Sequence, residues 1–278
     1  MTGHAPVLVT GCSSGIGRAT ALRLARAGHV VYATARRPET LDELARAGCR
    51  VMALDVTVEE SMRSAVAAVE AAHGSVGVLV NNAGYGQYGA VEEVAIDDAR
   101  RQFEANVFGL ARMCQLTLPA MRAAGRGRIV NVSSMGGRLT FPGGGFYHAS
   151  KYAVEALSDA LRFEVAPFGV AVSIVEPGLI RSRFGDVAHA THPDADDGPY
   201  AGFTAGSRAA IASGYGGRLA AGPEAVARAI EHAASARRPR TRYRVTLGAR
   251  VLITARRVLP DVAWDAAMAR TFPRPGGA

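Results

Sequence analysis

Residues 6–37 read PVLVTGCSSGIGRATALRLARAGHVVYATARR, and this stretch decides the fold. It begins with an apolar run, Pro6–Thr10, and ends with a second one, Val30–Thr34. Between them, Gly15–Ala27 places its apolar residues at helical spacing. Apolar runs without strict alternation are typical of parallel strands that are covered on both faces. The stretch therefore predicts a strand, a helix and a second, parallel strand.

The alternation of strand and helix continues along the chain without an interdomain linker. Further strands are predicted over Arg50–Leu54, Val76–Asn81, Arg128–Ser133 and Val170–Glu176, and helices over residues 38–47, 58–73, 96–124, 148–166 and 223–236. This pattern predicts an α/β fold with a doubly wound (Rossmann) parallel sheet and helices on both faces. We expect one dinucleotide-binding domain over residues 1–278, with its ligands at the carboxyl ends of the strands.

Two segments depart from this rhythm. Residues 185–221 are rich in Gly, Ala, His and Asp and show no strong period, so we expect an irregular substrate lid. A short strand is predicted near Tyr243–Leu247, and an amphipathic C-terminal extension follows over residues 248–278. The lid also contains potential metal ligands, namely His189, His192, Asp194, Asp196 and Asp197. We favour a polar, mobile lid over a metal site.

The composition suits one large core, because 49% of the 278 residues are hydrophobic. No window approaches roughly 18 uninterrupted apolar residues, so no membrane span is expected. Met1–Pro6 lacks a basic stretch followed by an apolar run, so no signal peptide is expected. Cys12, Cys49 and Cys114 show no metal-ligand spacing, which fits a reducing cytosol. The expected location is cytoplasmic.

The net charge of +8 is concentrated in one segment. Residues 237–257 contain no acid and eight arginines: Arg237, Arg238, Arg240, Arg242, Arg244, Arg250, Arg256 and Arg257. Such a stripe can attract nucleic acid, anionic lipid or an acidic carrier. We favour a solvated surface with some intramolecular ion pairs. No nucleic-acid partner is expected, because no known reading motif accompanies the arginines.

The turn after the first strand predicts a phosphate-binding loop. It reads TGCSSGIG over Thr10–Gly17 and opens a helix. Glycines let the backbone approach a pyrophosphate, and the helix N-terminus offers N–H groups and a positive dipole. An ordinary strand–helix turn is the alternative. The residues Gly11–Gly15 also match the hydrolase pattern GxSxG, but a hydrolase elbow lies deeper in the sheet and is followed by Asp and His partners.

The end of the second strand predicts the choice of cofactor. An acidic residue about 20 positions past the glycines would bond the ribose 2′-hydroxyl of NAD. Here Ala35 stands at that position, and Arg36 and Arg37 follow. Guanidinium groups suit the 2′-phosphate of NADP(H), which an aspartate would repel. An ordinary basic helix start is the alternative.

Tyr147 and Lys151 form a candidate acid/base pair. They are four residues apart, so they share one face of the predicted helix. A tyrosine titrates near pH 10, and an adjacent ammonium favours the phenolate and lowers that pKa. Lys151 is the only lysine among the 32 lysine and arginine residues. A core tyrosine with a surface lysine is the alternative, which the single lysine makes less attractive.

Over roughly residues 5–247 the chain resembles the short-chain dehydrogenase/reductase family. It matches the family's TGxxxGxG at Thr10–Gly17, NNAG at Asn81–Gly84, YxxxK at Tyr147–Lys151 and PG at Pro177–Gly178. Many short members end in a glycine-rich VDGG segment. The basic tail of this chain is instead similar to longer members such as 17β-hydroxysteroid and retinol dehydrogenases.

The resemblance implies a role for each matching residue. Tyr147 would donate the proton, Ser134 would bond the substrate oxygen, Lys151 would bind the ribose and lower the tyrosine pKa, and Asn106 would hold a water. The cofactor-binding residues would be Gly11, Ser13, Ser14, Gly15, Ile16, Gly17, Arg36, Arg37, Asp55, Val56, Asn82, Ala83, Gly84, Tyr147, Lys151, Pro177, Gly178, Ile180 and Ser182. The family's chemistry needs no metal, and its members suggest a homo-oligomer, either a dimer or a tetramer.

The function expected from these residues is NADP(H)-dependent interconversion of a carbonyl and an alcohol, on a small and lipophilic molecule. The alternative is a non-catalytic regulator that binds NADPH. A regulator need not keep Ser134, Tyr147 and Lys151 together, so their joint presence favours the enzyme.

Overall fold

The computed structural model describes residues 5–192, 198–217 and 220–276. Its strands are β1 (Val7–Val9), β2 (Val31–Ala35), β3 (Arg50–Ala53), β4 (Val78–Asn81), β5 (Gly127–Val132), β6 (Val170–Glu176) and β7 (Arg242–Arg244). They form one parallel sheet in the order β3-β2-β1-β4-β5-β6-β7. The predicted doubly wound sheet is confirmed. The strand order reverses between β1 and β4, which is where such sheets bind ligands.

Helices connect the strands, and two more helices follow the last strand in the sequence. They are α1 (Gly15–Arg26), α2 (Asp42–Arg46), α3 (Glu59–His73), α4 (Ile96–Phe103), α5 (Gly109–Ala123), α6 (Gly145–Val165), α7 (Arg183–Ala190), α8 (Ala201–Gly216), α9 (Pro223–Ser235), α10 (Leu247–Val258) and α11 (Asp261–Met268). Among the described residues, none of these helices is long and apolar enough to cross a membrane.

The core lies on both faces of the sheet. Val9 of β1 belongs to a buried cluster with Leu24 of α1 and Ile230 of α9. Its neighbour Leu8 belongs to a second cluster, on the other face, with Met113 of α5. Successive side chains of a strand point to opposite faces, so one apolar run supplies both clusters. The expected helices on both faces are confirmed.

The helix predicted over residues 96–124 is interrupted. α4 ends at Phe103, and Glu104–Phe108 forms a π turn before α5 begins. A π turn widens a helix locally and often occurs at functional sites. Apolar spacing does not reveal it, because both flanking segments keep the helical period.

The expectation that residues 185–221 are irregular is wrong in part. Two helices lie in this segment. They are α7 and α8, and α8 contains most of the described residues that follow α7. Alanine is the strongest helix former, and five alanines lie in α8. The segment has few large apolar residues to mark a period, and its glycines suggest a loop. Pattern alone therefore concealed the helices.

The strand predicted near Tyr243–Leu247 is shorter and earlier. The Thr246 hydroxyl accepts a hydrogen bond from the Ala249 N–H at 3.0 Å, which caps α10 and ends the strand region. The C-terminal extension then packs on the domain. Ile253 of α10 and Trp264 of α11 share a buried cluster with Leu139.

The basic segment is only partly neutralised by ion pairs. Arg242 pairs with Glu155, Asp159 and Glu176, and Arg244 also pairs with Glu176. Arg256 pairs with Asp261. The favoured interpretation, a surface with some intramolecular ion pairs, therefore describes three of the eight arginines in the described part of the chain.

Candidate active site

The loop after β1 can exist only with glycine at two positions. Gly11 has a φ of 73°, and a Cβ placed on it would lie 2.9 Å from the Ala83 Cα. A Cβ on Gly17 would lie 2.2 Å from the Gly11 carbonyl oxygen. The backbone of this turn is therefore tightly folded against its neighbours.

The N-terminus of α1 is open to an anion. Ser14 precedes the helix without a side-chain cap, and the first turn contains no acid. Ser13 is exposed, while Ile16 packs against the core behind the loop. Uncapped N–H groups and the positive end of the dipole are what a pyrophosphate requires. These residues fit a dinucleotide.

The NNAG segment braces this loop. The Asn82 Nδ2 donates to the carbonyls of Thr10 at 2.9 Å and of Gly11 at 3.0 Å. The Thr10 hydroxyl accepts from the N–H groups of Asn82 and Ala83, both at 3.0 Å. Thr10 was not among the predicted site residues. Its position at the end of a strand, directly before the first glycine, is the signal that could have identified it.

The end of β2 exposes the two arginines. Ala35 is buried in the sheet, and Arg36 and Arg37 are exposed directly after it. The charge of Arg36 acts on the hydroxyl of Tyr85, which follows the NNAG segment. Arg36 therefore lies on the side of the loop where a cofactor would run.

Asp55 and Val56 follow β3. The Asp55 Oδ1 accepts from the Thr57 N–H at 3.0 Å and from its hydroxyl at 2.7 Å. Val56 is buried, and its carbonyl oxygen would lie 2.4 Å from a Cβ on Gly109. The close approach of the α5 start thus fixes this segment.

The chain after β6 returns to the glycine loop. The Pro177 carbonyl accepts from the Met135 N–H at 2.8 Å, and a Cβ on Gly178 would collide with Thr246. Ile180 forms an isolated bridge with Ala221. A Cβ on Gly15 would lie 3.2 Å from the Ser182 Cβ, so Ser182 is placed beside the loop.

Tyr147 and Lys151 are both buried on α6. A hydrogen bond joins Tyr147 to Ser134, whose hydroxyl also accepts from the Gly136 N–H at 3.0 Å. The Lys151 ammonium donates to the Val132 carbonyl at 3.0 Å. The structure thus brings the tyrosine, the serine and the lysine to one place at the carboxyl end of β5.

Asn106 joins this group through the π turn. Its Oδ1 accepts from the Tyr85 N–H at 3.0 Å, and its Nδ2 donates to the Tyr85 carbonyl at 2.8 Å and to the Ser150 hydroxyl at 3.0 Å. A Cβ on Gly84 would lie 2.6 Å from the Asn106 Oδ1 and 3.8 Å from the Lys151 Nζ. Only a glycine allows the Asn106 side chain to lie this close to the backbone here, beside the Lys151 ammonium.

Burial dominates the titration of the site. It raises the pKa of Tyr147 to about 12, and the hydrogen bond with Ser134 is the one lowering influence among the described groups. Burial lowers the pKa of Lys151 to about 8, against the opposing charge of Glu155. The expected lowering of the Tyr147 pKa by the lysine charge is therefore absent from this structure. The ammonium is bound to a carbonyl instead.

His148 is the neighbour that could compete with Tyr147 for the acid/base role. Its Nδ1 is 3.1 Å from the Gly136 carbonyl oxygen, and burial lowers its pKa to about 4. A histidine that titrates there is neutral near pH 7. The geometry therefore favours Tyr147 as the group that exchanges a proton.

An aromatic wall covers Tyr147. The rings of Tyr88 and Phe184 lie 5.5 and 5.4 Å from its ring, and Tyr215 of α8 bonds to Tyr88. Phe184 directly precedes the segment that was predicted as the lid, residues 185–221, and Ile211 of α8 packs on the same cluster. Sequence reasoning missed these residues. Their aromatic character after NNAG and after the PG motif is the signal they carry.

Among the described residues no group of three or more His, Cys, Asp or Glu side chains could hold a metal ion. His192 is buried, with its Nδ1 2.9 Å from the Ala188 carbonyl oxygen and its ring stacked on Tyr88. The side chain of His189 and the residues Asp194, Asp196 and Asp197 lie outside the described residues.

The comparisons with known proteins give a consistent result. The family model described as short chain dehydrogenase matches residues 5–192. The chain is 38% identical to the oxidoreductase YbbO of Escherichia coli (strain K12) over 260 residues, 93% of this chain and 92% of that protein. It is 35% identical to retinol dehydrogenase 5 of Homo sapiens over 297 residues, 99% of this chain and 91% of that protein.

Solved structures agree with these relatives. A short-chain dehydrogenase from Streptomyces avermitilis has a TM-score of 0.80 and 38% identity, covering 96% of this chain and 95% of its own. An enzyme from Burkholderia phymatum, solved with NAD, has a TM-score of 0.80 and 26% identity, covering 95% of both chains. A metagenomic short-chain oxidoreductase, solved with NADP, has a TM-score of 0.68 and 27% identity, covering 88% and 99%. Structural neighbours thus bind either cofactor.

Proposed function

Because the chain belongs to the short-chain dehydrogenase family, we propose that it is an NADP(H)-dependent oxidoreductase that interconverts a carbonyl and an alcohol on a lipophilic small molecule. The observation that carries the proposal is the meeting of Ser134, Tyr147 and Lys151 beside the glycine loop, with Asn106 behind them. We place this activity in the cytoplasm, in a dimer or tetramer of the chain.

The chain offers a matching group for each part of the cofactor. The glycine loop and the start of α1 would hold the pyrophosphate, and Asp55 and Val56 would flank the adenine. Arg36 and Arg37 would bind the 2′-phosphate. Pro177, Gly178, Ile180 and Ser182 would line the nicotinamide end, since Ser182 lies beside Gly15. The nicotinamide, when bound, supplies or accepts the hydride.

Tyr147 would exchange the proton at the substrate oxygen. In carbonyl reduction its hydroxyl donates, and Ser134 bonds the same oxygen and holds it in place. A phenol with a pKa of about 12 is protonated at neutral pH and can donate, but its phenolate is scarcely populated, so alcohol oxidation needs a nearby cation that favours the phenolate. Lys151, which is buried one helical turn from Tyr147 and now bonds to the Val132 carbonyl, would supply that cation. Asn106 and Ser150 would fix the surroundings of that ammonium.

The walls of the site favour a lipophilic substrate. Tyr88, Phe184 and Tyr215 present rings around Tyr147, and α7 and α8 add Ala188 and Ile211. Aromatic and aliphatic walls with few polar groups are typical of sites that bind apolar molecules. The name of retinol dehydrogenase 5 states a lipophilic alcohol as that relative's substrate, which supports the same class here.

The test is a panel of aldehydes, ketones and quinones, graded in chain length and ring number, with NADPH oxidation as the signal. We expect turnover that increases with the apolar size of the substrate. Tyr147→Phe should lower kcat by at least about a hundredfold, the usual worth of general acid catalysis, while NADPH binding persists.

A non-catalytic NADPH-binding regulator is the competing function. It predicts NADPH binding without turnover of any compound in the panel, and it predicts that Tyr147→Phe changes nothing that can be measured. A variant that keeps more than about a tenth of the wild-type turnover contradicts the role given to Tyr147.

A further inference from the structure

Helix α10 turns an apolar stripe toward solvent. Leu247, Val251 and Val258 are 75%, 57% and 72% exposed. They are four and seven residues apart, so they lie on one face of the helix. The opposite side is already buried, through Ala249 and Ile253. The helix is thus apolar on two sides, and the domain covers one of them.

Two more exposed apolar residues follow the helix along the chain. Leu259 is 38% exposed, and Val262 of α11 is 82% exposed. A single exposed valine is ordinary, whereas a continuous apolar surface on a monomer usually marks a binding site. We define Leu247, Val251, Val258, Leu259 and Val262 as the apolar stripe.

Arginines flank the stripe. Arg250 lies one turn from Leu247, Arg257 directly precedes Val258, and both are exposed along one edge of the stripe. Lys and Arg side chains at the edge of an apolar helix face can extend their charge while their stems stay on the apolar surface. The sequence from residue 232 to residue 260 contains no acid, so nothing local neutralises this edge.

A cationic cleft adjoins the same helix. It has a volume of about 470 Å³ and is lined by Arg138, Tyr152, Arg244, Ile253, Arg256 and Arg257. Arg244 and Arg256 each pair with an acid, but Arg138 and Arg257 form no ion pair in the part of the chain that the structure describes. Guanidinium groups bind phosphate in a bidentate manner, so the cleft suits a phosphate group.

We propose that α10 docks the protein on an anionic phospholipid surface. The apolar stripe enters the boundary between headgroups and acyl chains, and Arg250 and Arg257, at the edge of that face, bind lipid phosphates. An amphipathic helix with basic edges lies in such an interface without crossing it. The charge distribution selects this occupant. A second copy of the chain docked through the same face would bring two basic edges into one interface, and residues 232–260 contain no acid to neutralise them.

Vesicle flotation of the full chain tests the proposal. Two vesicle compositions are compared, phosphatidylcholine alone and phosphatidylcholine mixed with phosphatidylglycerol. We expect binding to the anionic vesicles to be at least about tenfold stronger, since each surface arginine contributes about 1 kcal/mol there. Equal or absent binding to both overturns the proposal.

Two pairs of variants separate the apolar and the ionic parts. Leu247→Ser with Val251→Ser, and Arg250→Gln with Arg257→Gln, should each weaken anionic binding at least about tenfold. The matched controls are Ile96→Ser, an exposed apolar residue of α4, and Arg46→Gln with Arg126→Gln, which removes the same charge elsewhere. Thermal unfolding and NADPH turnover should stay unchanged in all of these variants.

Other occupants give different results. If the serine pair leaves vesicle binding intact, the arginines bind any polyanion, and inorganic pyrophosphate or DNA will compete equally; this outcome overturns docking through α10. If the serine pair instead halves the molecular mass in solution, the stripe is an interface between copies of the chain, and the proposal is wrong. Loss of binding in the control variants also contradicts it.

Discussion

Lys151 lies where three segments of the chain meet. Its ammonium donates to the Val132 carbonyl, and a Cβ on Gly84 would lie 3.8 Å from its Nζ and 2.6 Å from the Asn106 Oδ1. Burial lowers its pKa to about 8, so near neutral pH the site keeps a cation that is costly to bury. A compact head with three donors fits this enclosure, and a planar fork does not.

We therefore expect Lys151→Arg to lower kcat/KM by at least about a hundredfold. The charge is retained, but the guanidinium cannot reach both the Val132 carbonyl and the tyrosine. The residual rate should rise with pH and reach its optimum at higher pH than in the wild type, since the bulkier guanidinium cannot approach the Tyr147 hydroxyl to favour its phenolate. The exposed Arg126→Lys is the matched control. Normal kinetics in Lys151→Arg would show that the single lysine is an accident of composition.

Arg36 and Ala35 are the residues that we expect to determine the preference for NADPH over NADH. Charge-assisted bonds from Arg36 to a 2′-phosphate are each worth roughly 1.5–3 kcal/mol, which predicts about a tenfold to hundredfold preference for NADPH. The double change Ala35→Asp with Arg36→Ala should reverse the preference, through lost attraction and added repulsion. The measurement is kcat/KM for both cofactors at one ionic strength. A wild type that prefers NADH contradicts this interpretation and leaves the role of Tyr147 untouched.

Sequence reasoning at the residue scale identified which side chains meet, but not how they are oriented. The spacing of Tyr147 and Lys151 placed both on one helix face, and the structure has them there. The bond from Lys151 to the Val132 carbonyl could not be predicted, because it depends on where β5 ends relative to α6. The same holds for the burial that sets the Tyr147 pKa at about 12.

At the scale of elements, α7 and α8 pack together beside Tyr147, and we propose that they form the cover of the site. Thr191, just after α7, donates its hydroxyl to the Gly86 carbonyl at 2.9 Å, and Gln87 donates to the Thr191 carbonyl at 2.5 Å. Further along, Tyr200 donates to Glu92 at 2.6 Å. The cover is thus attached to the segment after β4 by a few polar bonds, while its apolar side faces Tyr147.

Phe184→Ala should loosen this cover without touching the cofactor loop. Removal of the ring contact with Tyr147 forfeits about 0.5–1.5 kcal/mol, so KM for an apolar substrate should rise about threefold to tenfold. NADPH affinity should stay the same. Phe163→Ala is the control, because that ring is exposed on α6. An unchanged KM together with a weaker NADPH affinity would place Phe184 in the cofactor site instead.

The elements also show where pattern fails. β1, α1 and β2 were predicted nearly to their ends, because apolar runs and glycines mark each boundary. The π turn at Glu104–Phe108 was not predicted, since it depends on an inserted residue. Helix α8 was not predicted either, since its side chains are mostly small. Both lie at the site. Local irregularity is tolerated where tertiary contacts, such as those of Asn106, hold it in place.

At the scale of the whole molecule, the pH dependence of stability should reveal the buried cation. The folded pKa of Lys151, about 8, lies below the unfolded value of 10.5. Between these values the unfolded chain holds more protons, so this group makes the fold more stable as pH rises through that window. Below it, the cost of burying the charge is fully present.

The variant Lys151→Met removes this contribution. As pH rises from about 8 to about 10, the free energy of unfolding of the wild type should increase relative to that of the variant, by at most about 3 kcal/mol. Urea unfolding of both proteins on the two sides of the Lys151 pKa gives the difference. The titration of Tyr147 is common to both and cancels. A constant difference across the window would mean that Lys151 is solvated in the folded protein.

The burial of the only lysine has a further consequence, for covalent chemistry. Apart from the α-amino group, its Nζ is the single primary amine of the chain, and the folded protein encloses it. An acylating reagent therefore meets no ready side-chain target on the surface. The amine can therefore react only when a fluctuation exposes it. Each acyl group on Lys151 then reports one opening of the site. The mass of the intact protein, followed over time, gives the rate at which the site opens.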